Sequence, residues 1–139
     1  MIEGTVILTG HAFPPRGGDA YLPIIQTGMV DRINPSLFVY RGRFEVPLLS
    51  AISHADRSEV LVRIKRFDEA VADGQTAVDL VPDDPRLRLA LARALAGAGR
   101  RDDARREFER AIENARSDPY LFRTAELAAR RELERLDGN

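Results

Sequence analysis

Residues 66–85, RFDEAVADGQTAVDLVPDDP, lie on residues 100–119, RRDDARREFERAIENARSDP, without a gap when the chain is slid against itself by 34 positions. Six of these twenty positions are identical: Arg66/Arg100, Asp68/Asp102, Ala70/Ala104, Ala77/Ala111, Asp84/Asp118 and Pro85/Pro119. Glu69/Asp103, Asp73/Glu107, Val78/Ile112 and Asp79/Glu113 keep their chemical character. The matches have mechanical roles. An Asp before a Pro supplies an N-cap carboxylate, followed by a ring whose missing N–H costs nothing at the first helical position. Small residues mark places where helices cross closely. Caps, turn and small residues repeating in one register predict a repeated helix–turn–helix unit.

Outward from this core the sequence has two textures. From residue 47 onward Ala, Leu, Arg and Glu recur at helical spacing, and the later prolines, Pro82, Pro85 and Pro119, fall between periodic segments. The pattern predicts helices over 47–64, 67–80, 85–97, 101–115 and 119–136, with Gly97 and Gly99 ending the third. In the last helix Leu121, Phe122, Ala125, Leu127 and Leu133 are expected to face inward, with Arg130, Arg131, Glu132, Glu134 and Arg135 outward. Residues 1–50 carry five of the eight prolines and six of the ten glycines, which forbids a long helix. Thr5–Thr9, closed by Gly10, and Leu37–Tyr40, closed by Gly42, read as short strands that pair. Tyr21–Met29 is apolar but broken by Pro23 and Gly28, and has no clear assignment.

The unit 85–118 carries Leu91-Ala92-x-x-Leu95 and Ala104-x-x-x-Phe108, followed by Ala111. Over about residues 51–136 the sequence resembles the tetratricopeptide repeat family, whose period is also 34 residues. It departs from the family pattern at Gly74, where a phenylalanine is usual, at His54 and Arg57, at Arg88 in place of tryptophan, and at Arg116 in place of the closing proline. The resemblance implies a mostly α fold, an antiparallel helix-hairpin array or α-solenoid, behind a short strand-containing N-terminal segment. The expected organisation is a strand- and loop-rich segment at 1–50, repeats at 51–84 and 85–118, and a capping helix at 119–136. Two hairpins cannot hide both apolar ends of a stack. The capping helix covers one, and residues 1–50 or a second copy of the protein the other, so a homodimer is among the expected assemblies.

The same resemblance implies a non-catalytic protein–protein interaction module in which the first helix of each hairpin lines a concave groove. Carried onto this sequence, the groove side holds Ile52, Ala55, Glu59 and Arg63, then Arg86, Leu89, Arg93 and Ala96, then Tyr120, Arg123, Leu127 and Arg130. The candidate partner-binding set is Arg63, Arg86, Leu89, Arg93, Tyr120, Arg123 and Leu127. Arginine recurs in it, as it does in the whole sequence, where Lys65 is the one basic residue that is not Arg. Guanidinium forks bond two carboxylate oxygens at once, so the expected partner is a protein or peptide, acidic or presenting its C-terminal carboxylate.

Other functions lack support. The 139 residues suit one domain, and 21 basic against 22 acidic side chains leave a net charge of -1, with no global pull toward nucleic acid. The charge is uneven, with four basic and eight acidic residues over 51–85 against thirteen and ten over 86–139. Arginines without interleaved aromatics argue against a nucleic-acid module. With no cysteine and two histidines, His11 and His54, that have no motif partner, the reading is no metal, no cofactor and no catalytic residue. Thr9-Gly10-His11 and Arg16-Gly17-Gly18 lack the phosphate-loop pattern and read as a tight loop. No apolar run approaches the roughly 20 residues that span a bilayer, so no membrane insertion by these residues is expected. The run from Ser36 to Pro47, leading through Ser53-His54-Ala55 into the repeats, is similar to the C-terminal extramembrane region of bacterial membrane glycosyltransferases that use lipid-linked sugars. That likeness implies a severed, non-catalytic tail outside the cytoplasm; without it the default compartment is the cytoplasm.

Overall fold

The small residues that the repeat expects at close helix crossings, Ala70, Ala77, Ala104 and Ala111, are all fully buried. In the computed structural model, which describes residues 2–9 and 21–138, the elements run β1 (Ile2–Thr9), α1 (Leu22–Ile25), β2 (Asp31–Asn34), β3 (Leu37–Phe44), α2 (Pro47–Arg63), α3 (Phe67–Leu80), α4 (Pro85–Gly97), α5 (Arg101–Asn114), a 3-10 turn (Ala115–Ser117) and α6 (Arg123–Asp137). His11 and the Gly10–Gly18 loop lie outside the described residues. The protein forms two compact units, Met1–Ser50 and Ala51–Asn139, where length alone suggests one.

In the second unit α2 with α3 and α4 with α5 form antiparallel hairpins whose turns are equivalent at the 34-residue offset. Arg66 N–H donates to the Leu61 carbonyl and Arg100 N–H to the Leu95 carbonyl, each at 2.9 Å, closing the first helix of each hairpin in the same way. Such closures need a left-handed residue after the helix. Gly99 provides it at φ +78° and Lys65 at φ +61°. One turn later Arg66 pairs with Glu69 and Arg100 with Asp103. The core between the hairpins holds Ala77, Val78, Leu87, Leu91, Ala92, Leu95, Ala104 and Phe108. Phe108 fills its position, whereas the equivalent Gly74 lets α4 close in: a β-carbon there would lie 3.0 Å from Leu91 Cα. Where the family carries tryptophan, Arg88 Nη1 makes a largely buried ion pair with Glu107 at 2.7 Å.

Asp84 caps α4 as expected, its Oδ1 accepting from Arg86 N–H at 2.9 Å. Asp118 corrects the reading of the last helix. Its Oδ1 accepts from the N–H groups of both Tyr120 (3.1 Å) and Leu121 (2.9 Å), which ties 118–121 into a turn, and α6 starts at Arg123 rather than at 119. Local side-chain bonding of this kind competes with the first helical turn. In consequence Leu121 is 60% and Leu127 46% exposed, not inward. Ala125 and Ala129 take the seam, with Ala128, Leu133 and Leu136 packed beside it. The opposite side bears exposed Arg130, Arg131 and Glu134, a polar face of the kind that caps solenoids in water.

The first unit is an antiparallel sheet of order β1-β3-β2 among the described residues. Val6, Ile7 and Leu8 pair with Tyr40, Val39 and Phe38. Its core is Leu8, Ile24, Tyr40, Phe44 and Val46, and burial raises the Tyr40 phenol above its usual value. Gly42 does not close its strand as expected. It continues β3 opposite Gly4, both with positive φ, so the pair marks a twist within the ladder. The unassigned stretch supplies α1, whose Ile24 plugs the core, and the short polar strand β2 turns into β3 at Pro35–Ser36.

Candidate partner-binding groove

The first helix of each hairpin, α2 and α4, and the last helix, α6, share one side of the helical unit. Arg93 on α4 reaches Glu59 on α2 (2.7 Å) and Glu132 on α6 (3.9 Å). Toward the N-terminal end of α4, a cleft of about 270 Å³ opens between α4 and α6. Leu89 from α4 and Ala125 and Ala128 from α6 form its apolar floor, with Leu121 and Thr124 at the edge. Arg86 and Arg93 stand over it.

Arg86 is fixed in place. Its guanidinium bonds to the buried Asp84 carboxylate, with Nε 2.9 Å from Oδ1, and lies 5.5 Å over the ring of Phe122. The hydrogen bond to Asp84 raises its pKa above the ordinary arginine value. The cation is therefore permanent and its direction preset, which lowers the ordering cost of meeting an anion.

Of the residues read from the sequence, Arg86, Leu89 and Arg93 come together in this cleft. Tyr120, 97% exposed, Arg123 and Leu127 stand outside its lining. Arg63 is exposed at the end of α2, and neither it nor Arg123 makes an ion pair among the described residues. Ala55 is buried, Ile52 packs on the core, and Arg130 is engaged with Glu126 at 2.8 Å. Sequence reasoning missed Leu121, Thr124 and Ala128. The signal was present in Ala125-x-x-x-Ala129, a small-residue seam that turns its flanking positions, and not Tyr120 or Leu127, toward α4.

Two other polar groupings are self-contained. Asp73, buried on α3, has its Oδ1 3.0 Å from His54 Nδ1, while Arg57 Nε lies 2.9 Å from Oδ2 as an ion pair without hydrogen-bond geometry. Ser58 is fully buried and donates to the Ala70 carbonyl, so its hydroxyl is committed to holding α2 on α3. On the side formed by α3 and α5, a polar cleft of about 320 Å³ has its arginines paired internally, Arg100 and Arg106 with Asp103 and Arg110 with Glu107. No helix among the described residues is long and apolar enough to cross a membrane.

Antiparallel hairpins stacked at a fixed period and sharing one core with α6 define an α-solenoid, a class built to present surfaces to other macromolecules. Residues 61–125 match the tetratricopeptide repeat family, and the helical unit has a tetratricopeptide-like helical-repeat fold. The fold is also that of protein BPP2914 from Bordetella parapertussis, known from a solution structure. The two are 22% identical, with a TM-score of 0.54, over 63% of this protein and 74% of that one. No match is found among curated proteins. Tetratricopeptide repeats bind protein partners, and the helical unit is in general terms a protein-interaction module.

Proposed function

We propose that the helical unit binds an acidic peptide segment of a partner protein in the cleft between α4 and α6, without chemistry of its own. The observation that carries this reading is the arrangement of that cleft, an apolar floor of Leu89, Ala125 and Ala128 under two arginines. An apolar side chain of the partner leaves water on the floor while a neighbouring carboxylate meets Arg86 or Arg93. Burial supplies affinity, and the guanidinium forks supply orientation and discrimination against basic segments. Arg63 and Arg123, exposed, without ion pairs among the described residues and outside the cleft's lining, add longer-range attraction.

Peptides selected from a random phage-displayed library on the whole protein test this. Enriched sequences should pair Asp or Glu with a large apolar residue, and their binding should fall about tenfold on Arg93→Ala and on Ala128→Trp, which fills the cleft. Enriched peptides without acidic residues, or undiminished binding by both variants, would overturn it.

A second reading, in which this array is the extramembrane part of a membrane glycosyltransferase, draws on the likeness of the run Ser36–Pro47. Membrane-spanning segments encoded upstream of Met1 would favour it, and a stop codon there would remove it.

A further inference from the structure

A second cleft, of about 360 Å³, lies on the same side of the unit toward the C-terminal end of α4. Its floor is Val62, Ala96, Phe108 and Leu136, and Arg93 and Glu132 line it as well. Arg93 therefore borders both clefts. Leu89 and Ala96 are seven residues apart on α4, which is two turns, so they share one face at a rise of about 10.5 Å with Arg93 between them. Arg101 and Arg135 stand at the second cleft as Arg86 does at the first. Arg101 is held by donating to the Leu136 carbonyl. The two clefts thus repeat one composition, an apolar floor beside a held cation, Arg86 at the first and Arg101 at the second, on either side of a central guanidinium; Arg135, paired with Glu132 at 3.5 Å, adds an exposed cation.

We propose that the two clefts form one binding track, and that its ligand is an amphipathic helical segment with large apolar residues at i and i+7 and a carboxylate between them at i+3 or i+4. This rests on the reading of the first cleft as a docking site and adds the second anchor, the spacing and the helical form. On a helix, positions i and i+7 are also about 10.5 Å apart and on one face, so both side chains enter their clefts together. The intervening acid falls opposite Arg93 whichever way the ligand helix runs, because a position three residues from one anchor is four from the other. Arg86, Arg93, Arg101 and Arg135 outnumber the carboxylates paired with them, Asp84, Glu59 and Glu132, which leaves the track complementary to an acidic segment rather than a basic one.

Fluorescein-labelled synthetic helices in an Ala/Gln background give a direct test by fluorescence polarisation. The reference probe has two leucines seven apart and a glutamate four after the first. Moving the second leucine to five after the first should weaken binding about tenfold, the worth of one buried leucine side chain. Replacing the glutamate by lysine should weaken it by at least as much. Ala96→Trp should lower affinity for the two-leucine probe and leave that of a one-leucine acidic probe within about twofold, whereas Ala128→Trp should weaken both. Circular dichroism establishes that each variant keeps its helices. Equal binding of probes with leucines seven and five apart, or indifference to Ala96→Trp, would overturn the two-cleft track and leave the single cleft standing. Failure of every acidic probe to bind, or indifference to both tryptophan variants, would overturn both.

Discussion

At the scale of single residues, the two repeats differ most sharply after their first helices, where Lys65 adopts a left-handed backbone that Gly99 adopts freely. A β-carbon there is unfavourable by roughly 1–2 kcal/mol, and glycine gives back part of the gain through a more flexible unfolded state. Lys65→Gly should therefore raise stability by about 1 kcal/mol in urea unfolding, whereas Gly99→Ala should lower it; a loss in both would show that the two turns are not equivalent. A second residue-level expectation concerns acid. Hydrogen bonding from Arg100, with the charges of Arg100 and Arg106, holds the Asp103 carboxyl below its ordinary value of 3.8. A carboxyl lowered on folding stabilises the fold above its unfolded pKa and ceases to do so as pH falls through the folded one. The stability difference between wild type and Asp103→Asn should be constant above about pH 5 and shrink below about pH 4. A difference unchanged to about pH 2 would contradict this assignment.

At the scale of elements, Gly74 sets the spacing of α3 and α4. The Leu91 Cα that a new β-carbon would meet at 3.0 Å belongs to the backbone and cannot swing aside. Gly74→Ala should cost about 1–3 kcal/mol in urea unfolding, despite alanine's better helix propensity; a gain in stability would mean that the two helices are not in close contact. The pairing of Arg93 has a functional counterpart. Glu59 and Glu132 hold the guanidinium that, in the proposed complex, a ligand carboxylate must reach. Glu59→Gln should strengthen binding of an acidic helix by up to about fivefold, the worth of a partly exposed ion pair. Weaker binding would mean that Glu59 orients Arg93 for the ligand rather than competing with it.

The elements also show what was legible in advance. The four repeat helices follow from alanine and leucine spacing, and α4 also from its Asp84-Pro85 cap and glycine stop, because each of these signals acts within a few residues. The start of α6 was not legible, since Asp118 and Asp84 have the same Asp-Pro sequence, and only the folded protein shows one entering a helix at once and the other binding two turn amides. That displacement carried the groove reading of α6 to Tyr120 and Leu127 instead of Leu121, Thr124 and Ala128. The partner of His54, nineteen residues away on α3, depends on a tertiary contact that no local pattern marks, whereas the short, exposed strand β2 is a hairpin partner of β3 without apolar alternation to mark it.

At the scale of the whole molecule, the proposed interaction surface is set apart by its apolar floors, since arginines are paired on both sides of the helical unit. The α3–α5 side pairs its arginines with Asp103 and Glu107, and the outer side of α6 is polar. The side shared by α2, α4 and α6 keeps apolar floors beside fixed cations. The measurement that tests this most directly is an amide NMR titration of the protein with the two-leucine acidic helix. Saturable shifts concentrated at Arg86, Leu89, Arg93, Ala96, Thr124 and Ala128 are the expected result. Shifts confined to Gln75, Arg106 and Arg110 on the α3–α5 side, or no saturable shifts at all, would contradict the account.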